Sequence, residues 1–329
     1  MNTLEKGAVS LDQARMKRLM VPDVDFDAYM NGRDSDDHAN VKPAKDFLGD
    51  MLEHFNGNGE STGDTLPWFK THDLIRFRHS EVTVWNGING HGKSMLLGQV
   101  MMGFLQKRRG CIASLEMKPV ITLIRMCRQA FGGRSPDMDY VQRFAERAMD
   151  KLWLYDQQGT VSADKLIQVI YYAAEKLQCE HFIVDSLLKC GLGEDDYNGQ
   201  KRFVDRLCAA AKDTECHIHL VTHARKGEDE HTPPNKMSVK GTGSITDQVD
   251  NVLTVWRNKK KEHLIAEGKA DFDMQKSPDA LLICDKQRNG EHEPRIALWF
   301  DLPSMRYQET PPMKAEPFSR KSITSGETE

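Results

Sequence analysis

The sequence predicts an α/β domain in which helices cover a mainly parallel sheet. Short runs of apolar and β-branched residues alternate with longer segments whose apolar residues recur at helical spacing. A glycine-rich stretch, 87–94, separates the first predicted strand from the first predicted helix. Strands that alternate with helices pair in parallel, and such sheets bind ligands at the carboxyl ends of their strands. The glycine-rich stretch is therefore the first candidate site.

The stretch 87–94 carries the pattern G-x-x-x-x-G-K-S. Glycines allow backbone N–H groups to surround phosphate oxygens, and the N-terminus of the following helix favours their negative charge. We expect Lys93 to reach the β- and γ-phosphates of a nucleotide and the Ser94 hydroxyl to bind Mg²⁺. The strand at 81–85 and the amphipathic helix after the pattern favour a nucleotide site over an ordinary glycine-rich turn. The predicted nucleotide contacts are Gly87, Asn89, Gly90, His91, Gly92, Lys93, Ser94 and Met95.

The remaining elements follow from the same periodicities. They are a strand at 111–115, helices at 119–131 and 138–151, a strand at 152–155, a helix at 162–177, a strand at 181–184, a helix at 199–212, and strands at 217–222, 252–256, 281–284 and 296–300. No helix is predicted between the last three strands, so an antiparallel arrangement is open to them.

Composition narrows the function classes. With 329 residues, 39% hydrophobic and 29% charged, the chain is expected to be globular and soluble. Its net charge of −4 gives no overall basic field, so any nucleic acid must bind at local patches. No apolar run approaches the roughly 20 residues that span a bilayer. The seven cysteines form no C-x-x-C pair, which is typical of a reduced, cytoplasmic protein.

Three regions are expected along the chain. Residues 1–64 form an acidic, partly flexible extension, 65–307 form the main domain, and 308–329 form a disordered tail rich in Pro, Ser, Thr and charge. The extension contains a predicted helix, 44–55, with one apolar face. That face must be buried on the domain's own core or on a neighbouring subunit, and the glycines at 56–59 favour the neighbour.

Three polar residues follow predicted strands and face the same sheet edge as the glycine-rich stretch. Asp185 follows an apolar strand and is expected to hold Mg²⁺. Glu116 either polarises the water that attacks the γ-phosphate or is a solvated charge at a strand end. His223 either donates a hydrogen bond to the γ-phosphate or is an ordinary loop histidine. The residues alone leave both pairs of alternatives open.

Lys286 and Arg288 form a pair of cations after the strand at 281–284. Residues i and i+2 of an extended segment face the same way, so the two side chains are expected to project together. They would meet a γ-phosphate across a subunit boundary or lie in a solvated hairpin turn at 289–290. A turn that presents the cations satisfies both interpretations.

Four segments together resemble the RecA-like motor domain of hexameric replicative DNA helicases. This family includes the DnaB type, the helicase half of phage primase-helicases and the Twinkle type. The segments are the Walker A stretch 87–94, S-L-E-M at 114–117, K-G-T-G-S-I-T-D-Q-V-D at 240–250 and K-Q-R-N-G at 286–290. The resemblance covers roughly residues 65–300 and predicts a RecA-like P-loop NTPase fold with a short helical N-terminal extension.

The same resemblance implies an activity and its residues. It implies a homohexamer, encoded by a phage or plasmid, that uses ATP or another NTP or dNTP with Mg²⁺ to move 5′ to 3′ on single-stranded DNA and to unwind duplex during replication. Lys93, Glu116 and His223 would be catalytic, with Ser94 and Asp185 at the metal. Lys286 and Arg288 would act on the nucleotide of the next subunit.

Two loops would contact DNA in the pore. The implied contacts are Arg225, Lys226, Lys240, Gly241, Thr242 and Gly243, which offer cations, hydroxyls and accessible backbone amides to phosphates. Acidic residues at 228–230 argue against a uniformly basic grip. The basic run 257–261 is more often a solvated face than a nucleic-acid contact.

The sequence also departs from the family. About 65 residues precede the motor, too few for a primase or a helical collar, so a separate primase or loader would be needed. Gly241 stands where the DnaB type has an acidic residue. A non-helicase RecA-like ATPase, such as a recombination mediator or regulatory switch, is the main alternative. A P-loop small-molecule kinase is a third, but it gives Lys286, Arg288 and the loop at Lys240 no role.

Overall fold

The computed structural model describes residues 43–47, 52, 63–193, 195–224, 231–234, 238–239 and 243–311. Within these residues the chain forms a nine-stranded, mostly parallel sheet with helices on both faces, which confirms the predicted α/β fold. Of the predicted helix 44–55, the described part is a short 3-10 helix, Ala44–Phe47, and Leu52, whose side chain is exposed. The rest of that helix lies outside the described residues.

The strand order places β1 in the interior of the sheet. The order is β3-β2-β4-β5-β1-β6-β7-β8-β9. The strands are β1 (Val82–Asn86), β2 (Gly110–Ser114), β3 (Leu152–Leu154), β4 (His181–Asp185), β5 (His217–Val221), β6 (Asn251–Arg257), β7 (Ala280–Gln287), β8 (Arg295–Asp301) and β9 (Arg306–Gln308). Strands β1 to β6 pair in parallel, and β7, β8 and β9 return antiparallel.

Helices cover the two faces of this sheet in two sets. They are α1 (Lys93–Phe104), α2 (Pro119–Phe131), α3 (Met138–Met149), α4 (Ala163–Leu177), α5 (Tyr197–Thr214), α6 (Gly243–Gln248), α7 (Lys259–Ala266) and α8 (Phe272–Lys276). Residues of α1, α2 and α3 pack in one apolar core, and residues of α4 and α5 in the other, which also holds residues at α6. All five residues of β1 are buried, as expected for a strand covered on both faces.

The expectation that no helix lies between the last strands was wrong, because α7 and α8 separate β6 from β7. Both helices are short and begin with side-chain caps. Asn258 accepts a hydrogen bond from the backbone of Lys261, and Asp271 caps α8 in the same way. Lys261 is buried and its ammonium lies 2.7 Å from Asp279 Oδ1. The basic run is therefore partly structural, which its charges concealed.

A chain of buried polar side chains joins the start of the domain to the sheet. Trp85 Nε1 donates to His219 Nδ1 at 3.2 Å, and the two rings His219 and His181 are linked at 3.1 Å. His181 Nε2 lies 3.2 Å from Asp64 Oδ2, which fixes a consistent set of donors along the chain. Burial lowers the pKa of both histidines. Asp64, which also pairs with Phe77, is thereby tied to β4 and β5.

Candidate nucleotide site

The glycine-rich loop connects β1 to α1 in a conformation that needs its glycines. Gly87, Gly90 and Gly92 have φ angles of 152°, 81° and 86°. A Cβ atom on Gly87 would collide with the carbonyl oxygen of Val255, so the loop passes too close to β6 for any side chain there. The loop therefore presents its backbone, as phosphate binding requires.

Lys93 begins α1 and folds back over the loop. Its ammonium donates to the carbonyl oxygens of Gly87 at 2.8 Å and Ile88 at 3.1 Å. Burial lowers the pKa of Lys93 to about 8, although the nearby Asp185 and Glu116 carboxylates act in the opposite direction. The lysine is thus a buried cation held by weak acceptors, which a phosphate can replace.

Asp185 ends β4, directly beside the end of β2. Its side chain is 6% exposed, and burial raises its pKa to about 6. Glu116 raises this pKa further, whereas a hydrogen bond with the Ser94 side chain and the charge of Lys93 lower it. A buried carboxylate next to a hydroxyl is an oxygen donor pair that fits Mg²⁺.

Glu116 and His223 lie at the same edge of the sheet. The Ser186 hydroxyl donates to Glu116 Oε1 at 2.9 Å, and His223 Nε2 lies 3.9 Å from the same oxygen. The Glu116 side chain is 42% exposed and the His223 side chain 12% exposed. Parallel pairing of β2, β4 and β5 brings these strand ends together, so the structure gathers four predicted site residues around one loop.

The remaining loop residues divide between solvent and protein. Asn89 and Gly90 are exposed, and Met95 is half-buried on α1. His91 is buried, and its Nδ1 accepts a hydrogen bond from the backbone N–H of Arg257 at 3.1 Å. Its imidazole thus attaches the loop to the end of β6.

Tyr307 on β9 is a site residue that sequence reasoning missed. Its backbone exchanges two hydrogen bonds with the Gln99 side chain of α1, at 2.8 Å and 2.7 Å. Its hydroxyl is buried, stands over Gly92 and has no hydrogen-bond partner within the described part of the chain. Burial raises the Tyr307 pKa to about 12, so the hydroxyl keeps its proton. A three-residue strand at the predicted domain end gave no periodic signal.

The first predicted DNA loop begins and ends beside the nucleotide loop. Ala224 donates its backbone N–H to the Gly87 carbonyl oxygen at 3.0 Å and forms a β-bridge with Val239. Five predicted DNA contacts lie outside the described residues: Arg225, Lys226, Lys240, Gly241 and Thr242. The sixth, Gly243, is exposed and begins α6.

Lys286 and Arg288 lie at the opposite edge of the sheet. Gln287 pairs with Asn251, which pairs with Thr83 near the start of β1, whereas the nucleotide loop follows the end of β1. Four residue steps of a strand span about 13 Å, so neither cation reaches the loop of its own subunit. Both side chains bind backbone carbonyls near the end of α6, as their i, i+2 spacing predicted.

The fold matches that of known helicase ATPase domains, although the sequence matches no family model. One solved ATPase domain superposes with a TM-score of 0.68 and 12% sequence identity, over 82% of this chain and 99% of that one. A DnaB-like replicative helicase, whose structure addresses its interactions with primase, gives 0.62 and 13%, over 83% of this chain and 72% of that one. The RecA-like fold implied by the four sequence segments is therefore confirmed.

No described helix combines the length and the apolar character needed to cross a bilayer.

Substitution of the buried carboxylate tests the charge in this site. Asp185→Asn should raise the free energy of unfolding of the ligand-free protein by up to about 3 kcal/mol at pH 8. The reason is that ionised Asp185 is disfavoured in the folded state above its pKa of about 6, and this penalty disappears below the ordinary aspartate pKa of 3.8. Urea unfolding across that pH range measures the effect. An equal stability of both proteins at pH 8 would contradict it.

Two glycine substitutions test the contact with Tyr307. Gly90→Ala and Gly92→Ala place a side chain at similar positive φ, but only the second brings a Cβ atom against the Tyr307 hydroxyl. Gly92→Ala should therefore cost about 1–3 kcal/mol more stability than Gly90→Ala, and Tyr307→Phe should remove that excess. Thermal unfolding of the single and double variants measures it. Equal losses for the two glycines would show that the hydroxyl exerts no constraint.

Proposed function

We propose that the chain is the motor of a ring-forming, NTP-dependent DNA helicase that moves 5′ to 3′ on single-stranded DNA and unwinds duplex during replication. One observation carries the proposal. Lys93, Glu116 and Asp185 lie at one edge of the sheet, and Arg288 lies at the opposite edge. The RecA-like fold shared with helicase ATPase domains supports the same conclusion.

This separation favours assembly of identical subunits. A head-to-tail contact would bring the Arg288 edge of one subunit to the nucleotide loop of the next, and such contacts generate closed rings when the rotation closes. The proposed ring is a homohexamer. Helix 44–55 is proposed as an additional subunit contact, and a separate primase or loader as a further partner.

The nucleotide-binding half is proposed to work with ATP or another NTP and Mg²⁺. The loop amides and Lys93 would bind phosphate oxygens, and Ser94 and Asp185 would hold Mg²⁺, which when bound neutralises phosphate charge. Glu116 would orient the attacking water and accept its proton. The Ser186 hydroxyl, 2.9 Å from Glu116, fixes the position of that carboxylate.

The half that responds to nucleotide is proposed to include His223 and the loop after it. His223 lies near Glu116, and the next residue, Ala224, is hydrogen-bonded to Gly87. A change in the nucleotide loop therefore has a direct route to the chain segment at 225–239. Together with Lys240, Gly241, Thr242 and Gly243, that segment is proposed to bind single-stranded DNA through its phosphates.

The direct test is NTP hydrolysis with and without single-stranded DNA, run beside native mass spectrometry with a non-hydrolysable analogue. We expect a hexamer whose turnover rises several-fold with DNA, and strand displacement from a substrate with a 5′ tail. A monomer that ignores DNA would overturn the proposal. A ring that hydrolyses NTP but displaces no strand would identify the non-helicase RecA-like ATPase instead.

Mixed rings test the shared site. Arg288→Ala should abolish DNA-stimulated hydrolysis and spare nucleotide binding, and Lys93→Ala should abolish both. A mixture of the two variants should regain part of the activity, because some interfaces then join an intact Lys93 to an intact Arg288. Hydrolysis is measured across mixing ratios, with each variant mixed with itself as control. Absence of recovery in rings that are shown to mix would contradict a site built from two subunits.

A further inference from the structure

Helix α6 follows the predicted DNA-binding residues 240–242 and depends on tertiary contacts. It has six residues, too few for a helix to persist alone in water. Ile245 and Val249 bury its apolar side. The last carbonyl groups of a helix lack partners within it and need donors from elsewhere.

Lys286 on β7 supplies most of those donors. Its ammonium donates to the carbonyl oxygens of Thr246 at 2.8 Å, Asp247 at 3.0 Å and Val249 at 2.7 Å. A cation at this end also complements the helix dipole. Three short contacts commit the side chain to its own subunit.

Arg288, two residues later, is bound less tightly. Its guanidinium lies 3.3 Å and 3.2 Å from the carbonyl oxygens of Asp247 and Gln248, and 3.0 Å from Asp250 Oδ1. The side chain is 46% exposed. The other Asp250 oxygen accepts from the backbone of Val82 at 2.9 Å, so this ion pair is anchored on β1.

We infer that the two cations have different tasks: Arg288 reaches the neighbouring subunit's nucleotide, and Lys286 is a positioning residue that holds α6 and the DNA-binding segment before it. The inference deepens the proposed function and rests on it for the DNA contact. Both side chains share one strand and bind one helix end. Capture of Arg288 by a phosphate therefore alters the support of α6 and, through α6, the grip on DNA.

Such coupling is reciprocal. If nucleotide at the neighbouring site changes the position of α6 and thereby the affinity for DNA, DNA changes the affinity of that site for nucleotide by the same factor. Residue Gly243 is about 9 Å from the other end of α6, the length of six helical residues. A rigid helix of this length transmits a displacement from Lys286 to the segment at 240–242.

Hydrogen exchange of the nucleotide-free protein tests the anchor by itself. Lys286→Met keeps the length of the side chain and removes its charge, so the amides of 247–250 should exchange about tenfold faster or more. Lys286→Arg should restore protection, and Lys260→Met, at an exposed lysine of α7, should change nothing in α6. Unchanged exchange in Lys286→Met would overturn the anchor.

DNA binding tests the coupling. With a non-hydrolysable nucleotide, Lys286→Met should weaken single-stranded DNA binding about tenfold while the KM for NTP stays within about twofold, and Lys286→Arg should restore most of the affinity. A merely structural defect would alter both quantities together. Unchanged DNA affinity would overturn the coupling, as would DNA affinity that survives while the KM for NTP rises. If the wild-type ring bound no DNA, the proposed function and the coupling would fall, and the exchange experiment would still decide the anchor.

Discussion

The carbonyl oxygen of Gly87 accepts hydrogen bonds from Lys93 Nζ at 2.8 Å and from the backbone N–H of Ala224 at 3.0 Å. Much of the candidate site depends on this atom, because it joins the nucleotide loop to the segment that leaves β5. Its position depends in turn on the φ of 152° at Gly87 and on the close approach of Val255. A phosphate that draws Lys93 away leaves Ala224 as its partner. The phosphate-binding loop and the base of the predicted DNA loop therefore share one acceptor.

The sheet makes a second constraint of equal weight. Parallel strands collect their carboxyl ends at one edge, which places Glu116 and Asp185 beside the loop. The antiparallel return of β7 carries Lys286 and Arg288 to the other edge. A single subunit therefore holds two half-sites that cannot meet, and the strand order alone produces this division.

Sequence reasoning located the first half-site because its signals are local. A strand, a glycine pattern and a helix lie within residues 81–105, and Asp185 directly follows an apolar run. Tyr307 could not be found in this way, because its contacts with Gln99 join residues 208 positions apart. The side chains of Lys286 and Arg288 were correctly expected to project together. Their binding to α6 was not, because the helix is short and its polar sequence has no clear apolar period.

The two half-sites differ in how well their polar groups are paired, and this difference bears on assembly. At the loop, burial shifts the pKa of Lys93 down and that of Asp185 up, and the Tyr307 hydroxyl has no partner in the described part of the chain. Such groups gain when a charged ligand arrives. The cations at the other edge already have partners on α6, so they lose contacts when they turn outward. On the proposed assembly, subunit contact without nucleotide gives up these hydrogen bonds and gains no phosphate. A bound γ-phosphate reverses that balance, so the nucleotide itself would set whether the two edges stay together.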